Sequence, residues 1–227
     1  MKETPTIADM PQTQTRQKAT VRPPIFEATY RDYLSRIMSV DLKGIAPLLG
    51  GRVQGEGIVI SLLGIPYAIS PGGIADPDGR QPSLDVCVIL CQYILRLPRA
   101  LPREKDWVAY TDLKDSGPLT VYFRNDVERA IARHFTGGYG ALRDACQDLG
   151  GYSPDIQAAY DLTMQFDALP RVPVILLFND ADAEFPARSS LLFEHRAETY
   201  LDPECLAMLG RRLFTRLKDR SHRAPQV

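Results

Sequence analysis

The chain has 227 residues, 44% hydrophobic and 24% charged, the composition of an ordinary globular protein long enough to bury a core. A formal net charge of −1 gives no global field that would draw it to nucleic acid or to an anionic membrane surface. No apolar run is long enough to span a bilayer, and the N-terminus lacks a basic start followed by an apolar stretch, so a cytoplasmic location is the expectation.

Residues 1–24 are rich in Thr, Gln and Pro and show almost no apolar periodicity, which predicts a disordered tail. Residues 25–219 are expected to form a single domain, followed by a frayed basic tail over 220–227. Helical patterns run from Phe26 to Met38 and from Asp41 to Leu49, where Gly50-Gly51 ends the second. The period then changes. Gly57–Leu63 and Pro66–Ser70 are β-rich runs joined at Gly64 and read as a hairpin, and residues 71–82, with their prolines and glycines, read as a surface loop.

Ser83 can cap a helix from Leu84 to Leu97, closed by Pro98. It is apolar on nearly every side, which marks a buried central helix. Its polar residues Asp85, Gln92 and Arg96 fall on one narrow face. That stripe is either the solvent side of the helix or a polar wall facing a cleft.

Trp107–Thr111 and Leu119–Phe123 look extended, with a turn at Ser116-Gly117-Pro118 between them. Asn125 is placed to cap a helix with Val127, Ala130, Ile131 and Phe135 on its apolar stripe. A second helix, carrying Tyr139, Leu142, Cys146 and Leu149, follows Gly137-Gly138 and ends at Gly150-Gly151. Gly137-Gly138 reads better as a turn between helices than as a phosphate cradle.

Leu162, Met164 and Phe166 alternate with polar residues, as in a strand with one buried face. Val172–Phe178 is a continuous apolar run suited to burial on both faces, with Pro173 tolerable only near its start. Asp202 then caps a final helix with Pro203 at its first position and Leu206, Leu209, Leu213 and Leu217 inward. Hairpins interleaved with helices predict an α+β fold whose sheet is largely antiparallel.

Asn179–Pro186 leaves the end of that buried run. Asp180, Asp182 and Glu184 alternate there, so in an extended chain they would share one side. Such a cluster either raises a carboxyl pKa or recruits a divalent cation such as Mg²⁺ or Ca²⁺; otherwise one carboxylate caps the next turn and the rest are solvated. Charge is uneven beyond it. Residues 176–204 carry seven acidic side chains against two arginines, and residues 211–223 six basic groups against Asp219, two segments expected to neutralise each other. Cys87, Cys91, Cys146 and Cys205 include no CxxC pair and read as reduced core thiols. His134 reads as a packing residue beside Phe135, and His195, between Glu194 and Arg196, as an exposed salt-bridging one.

Leu169–Val174, Asp182–Pro186, Leu191–Glu194 and Tyr200-Leu201, with the Gly150-Gly151 turn, resemble an uncharacterised microbial domain-of-unknown-function family found largely in anaerobes. The resemblance runs from about Tyr30 to Leu217. Some members carry a separate iron–sulfur domain, which implies work near redox or one-carbon metabolism. This chain has Ala183 where a further acid is common, Glu194 where aspartate is usual, and Gln92 at a helix position associated with histidine. It has no iron–sulfur cysteine spacing, so a cluster would come from a protein partner. The expectation is an accessory domain binding a small molecule or a protein, with Asp85, Gln92, Arg96, Asp180, Asp182 and Glu184 shaping its pocket. The alternative is a cation-dependent enzyme using residues 180–184.

Overall fold

A computed structural model describes residues 24–102, 105–156 and 159–222. Residues 1–23 and 223–227, most of the two expected tails, lie outside the described residues. Helix α1 (Pro24–Ile37) and the short α2 (Leu42–Ile45), whose start is capped by Asp41 accepting from Gly44 N–H, lead into a four-stranded antiparallel meander. Its strands β1 (Arg52–Gln54), β2 (Gly57–Leu62), β3 (Ile65–Ser70) and β4 (Gly73–Ala75) lie in chain order. The hairpin expected at Gly64 is β2–β3, where Leu63 and Gly64 both take positive φ. Strand β4 falls where a loop was expected, because Gly73, at φ 135, returns the chain beside β3.

Helix α3 (Leu84–Leu95) follows Ser83 and buries Val86, Cys87, Ile89, Leu90, Cys91, Tyr93 and Ile94. It packs between α1 and α8 (Pro203–Ser221). The second sheet is also antiparallel, ordered β5 (Trp107–Ala109), β8 (Arg188–Glu194), β7 (Val172–Asn179), β6 (Leu162–Leu169). β7 is interior to this sheet and buries every residue from Val172 to Phe178, as its unbroken apolar run requires. Leu63 N–H donates to Ala168 C=O at 2.8 Å and ties the two sheets together.

Other expectations fail between residues 110 and 128: Tyr110 and Thr111 lie in a 3₁₀ turn (Tyr110–Asp112) beyond β5, and Asn125, expected to cap a helix, lies inside a helical segment. Residues 119–123 are helical, not extended: a 3₁₀ turn (Gly117–Leu119) passes through α4 (Thr120–Tyr122) and a π-helical segment (Phe123–Glu128) into α5 (Arg129–Phe135). The β preference of Val121 and Tyr122 loses because both are exposed, whereas Phe123, Val127, Ile131 and Phe135, four apart, bury one continuous face. Helix α6 (Tyr139–Asp148) closes on Gly150 and Gly151, whose N–H groups donate to Gln147 C=O and Cys146 C=O. Strand β8 and the short α7 (Ala197–Tyr200) complete the α+β fold. Asp202 caps α8 by accepting from Cys205 N–H at 2.8 Å. No helix among the described residues is long and apolar enough to cross a membrane.

Candidate functional site

The acidic segment is folded by its own side chains. Asp182 Oδ1 accepts from Glu184 N–H and Phe185 N–H at 2.8 and 2.7 Å, and Asp182 N–H donates to Phe185 C=O. These donors hold its carboxyl below the usual carboxylate range. Asp180 Oδ1 accepts from Ala181 N–H at 2.8 Å and from Gly137 N–H at 2.7 Å. Gly137, at φ +69, is therefore a turn whose free donor meets an internal carboxylate. Asp161 Oδ2 accepts Asp180 N–H at 2.8 Å, and Asn179 Oδ1 accepts Asp161 N–H at 3.0 Å. Glu184 is exposed. The convergence expected of Asp180, Asp182 and Glu184 is not found: no three His, Cys, Asp or Glu side chains among the described residues are disposed to hold a metal ion. Asp180 and Asp182 meet backbone amides instead of each other.

The stripe on α3 is divided among three neighbours. Asp85 pairs with Arg212 of α8 at 3.7 Å, Gln92 Nε2 donates to Tyr33 Oη of α1 at 3.1 Å, and Arg96 Nη2 donates to Glu198 C=O of α7 at 3.1 Å. These contacts fasten α3 to the surrounding helices, and none of the three side chains lines the cleft beside Asp182.

That cleft is formed by two adjoining hollows of about 410 and 460 Å³ that share Pro186 and Arg188. The first is acidic, with Asp161, Asp180 and Asp182 on its wall. The second carries Arg124, Glu128, Arg129, Ser189 and Ser190. Glu128 stands at the end of the π-helical segment. Its Oε1 accepts Leu191 N–H at 3.1 Å, while Ser189 Oγ donates to its carbonyl at 2.6 Å. Burial raises the Glu128 carboxyl pKa, opposed by the Leu191 donor and by Arg124. Arg129 Nη1 donates to Asn125 Oδ1 at 2.9 Å, but the side chains of Arg124 and Arg188 make no hydrogen bond or ion pair among the described residues; Arg188 lies 5.9 Å from the centre of the Phe185 ring.

A π turn adds a residue to one helical turn, and such turns recur at functional sites. Here it aims Glu128 at β8, which sequence periodicity does not reveal. The folded state holds the Glu128 proton more tightly than the unfolded chain. The cost of burying its charge is thus fully present above the raised pKa, and is relieved as pH falls through that value and below the ordinary 4.5. Glu128→Gln should therefore melt no lower than wild type at neutral pH, with that difference moving in wild type's favour in melts taken toward pH 4. A deficit that stays constant with pH would contradict this account.

The remaining expectations fall as follows. All four cysteines are free and buried, and burial pushes the Cys91 and Cys146 thiols up to about 12. His134 packs edge-on against Phe135 and lies 3.1 Å from Ser221 Oγ. His195 is exposed and 3.8 Å from Glu198. Glu194 is buried and pairs with Arg196. No ion pair among the described residues joins the acidic segment 176–204 to the basic segment 211–222, contrary to the expected neutralisation. The acidic turn lies at the end of the second sheet, whereas Arg212 and Arg216 stand against β3 of the first.

The fold is thus an α+β domain of two antiparallel sheets around buried helices, with an open polar cleft at one sheet end. A family model described as Domain of unknown function (DUF3786) matches residues 41–216, and the chain belongs to that family. No curated protein and no solved structure matches it.

Proposed function

We propose that this domain is a binding module for a small polar molecule carrying an acidic group, seated in the cleft at Arg188. The observation that carries the reading is the meeting of two oppositely charged hollows at that residue, with two arginine side chains, Arg124 and Arg188, that make no hydrogen bond or ion pair among the described residues. Guanidinium groups match carboxylate or phosphate oxygens in pairs, so an acidic group fits the Arg124–Arg188 half. Hydroxyl or amino donors on the ligand fit Asp161 and Asp180. The combined hollows suit a metabolite-sized ligand. By the family resemblance, the module works as a cytoplasmic accessory to a separate iron–sulfur or other redox protein, in redox or one-carbon metabolism.

A panel of small carboxylates and phosphate esters, followed by melting temperature, tests the binding reading, because a ligand held only by the native state raises it. At least one member should give a saturable rise that Arg188→Gln removes. A panel without any saturable rise, or a rise indifferent to Arg188→Gln, would sink the proposal. The cation-dependent alternative is tested in the same plates. It requires a rise with Mg²⁺, Ca²⁺ or Mn²⁺ that disappears when Asp182 and Glu184 are replaced by Asn and Gln.

A further inference from the structure

Helix α8 buries Leu206, Leu209, Leu213 and Leu217 on its inward side. Beside that stripe run Arg212, Arg216 and Arg220, one turn apart and all partly buried. Like charges at this spacing repel on a helix surface unless something between them is negative. Arg212 has Asp85 at 3.7 Å and acts on the Tyr67 hydroxyl. The side chains of Arg216 and Arg220 make no hydrogen bond or ion pair among the described residues. Burial, then the neighbouring Arg220, lower the Arg216 pKa, and Asp219 offsets this least of the named influences.

The space around these two side chains is concave on both sides. A groove of about 590 Å³ opens between α8, Tyr67 and the 76–83 loop. A smaller hollow of about 240 Å³ lies between Gly64 and Gly150, and Arg216 and Arg220 line both. Acids at the groove are already engaged: Asp76 Oδ1 accepts Asp78 N–H and Arg80 N–H at 3.0 and 2.9 Å, and Asp78 meets Arg80 at 3.4 Å.

We infer that Arg216 and Arg220 form a second site, separate from the Arg188 cleft, that takes a small molecule bearing phosphoryl groups. A phosphoryl group presents several oxygens to paired guanidinium forks, and two linked groups can neutralise both arginines at once. Ile65, Pro77 and Pro82 give the larger hollow an apolar side for the rest of the molecule. A small ligand fits better than an extended polyanion, because Asp76, Asp78 and Asp148 flank the arginines and would repel a continuing backbone of phosphates.

Inorganic pyrophosphate at constant ionic strength is the probe, followed by melting temperature and by calorimetric titration of the full chain. Wild type should bind saturably. Arg220→Gln alone should weaken binding by about tenfold or more, as expected for losing one charge-assisted hydrogen-bonding partner. The Arg216→Gln/Arg220→Gln double variant should lose the response while melting no lower than wild type without probe, since a repulsion has been removed. Arg188→Gln and Arg143→Gln should keep the response, which separates this site from the first cleft and from general charge. The inference is overturned by absent saturation, by an equal response in the double variant, or by reproduction of the effect with sodium chloride. It is equally overturned if an RNA oligomer binds through these arginines and pyrophosphate fails to displace it.

Discussion

Phe123→Ala should destabilise the domain by about 3–5 kcal/mol, the range for removing a fully buried aromatic ring. The Phe123 ring is 1% exposed, stacks on Tyr110 with centroids 4.1 Å apart, and lies 6.0 Å from the ring of Phe193. Helix α8 comes close enough that a Cβ added at Gly210 would stand 2.7 Å from Phe123 Cε2. The ring therefore keys the π-helical segment to β8 and α8 together, and nothing nearby can collapse into its place without moving an element. Urea unfolding is the measurement: the midpoint should fall with the slope unchanged. Glu128 sits at the other end of the same segment, so ligand affinity in the Arg188 cleft should fall as well, even where the variant remains folded. A loss under about 1 kcal/mol would show that the packing is not keyed as described.

The second large effect belongs to the turn after α6. Gly150 has φ +77, but a Cβ there would meet nothing within 4 Å, so Gly150→Ala carries only the left-handed strain of about 1–2 kcal/mol. Gly151 has ordinary φ, yet a Cβ would lie 2.7 Å from Phe166 Cε1 and 2.8 Å from Cys146 O. Phe166 is fully buried and the carbonyl belongs to the helix end, so neither can yield cheaply. Gly151→Ala should cost about 2–3 kcal/mol, at the upper end of the usual overpacking range. Thermal melts of the two single variants decide the matter. If Gly150→Ala is the worse of the pair, close packing is not what requires glycine at 151.

Local chemistry was readable where one residue type had one physical use. Asp202-Pro203 opens α8, Gly150-Gly151 closes α6, and Gly64 turns a hairpin, because caps and turns are decided within a few residues. The buried run Val172–Phe178 announced an interior strand for the same reason. The acidic segment was found, and of its two readings the turn-capping one matches the hydrogen bonds of Asp182. Alternation in an extended chain would align Asp180, Asp182 and Glu184, whereas the chain turns there and Asp182 closes the turn.

Residues 119–123 show the limit more sharply. Val, Tyr and Phe prefer strands, and only the four-residue spacing of Phe123, Val127, Ile131 and Phe135 against α8 and β8 makes the segment helical. Glu128 and Arg188 carried no signal of their own. Their importance comes from lying sixty residues apart in the chain and beside one cleft in space.

Ser83 makes no side-chain cap bond at α3, and Asn125 lies inside the π-helical segment. Legible in the chain alone were the α+β class, most element positions, the Asp202 cap, an acidic turn and a basic helix. Each depends on neighbours within a turn or a strand repeat. Tertiary structure alone decided that β8 lies between β5 and β7, that Asp85 meets Arg212, and that Arg216 and Arg220 have no acidic partner among the described residues. Those facts are set by which buried faces pack together, and packing joins residues whose separation along the chain carries no record of their contact.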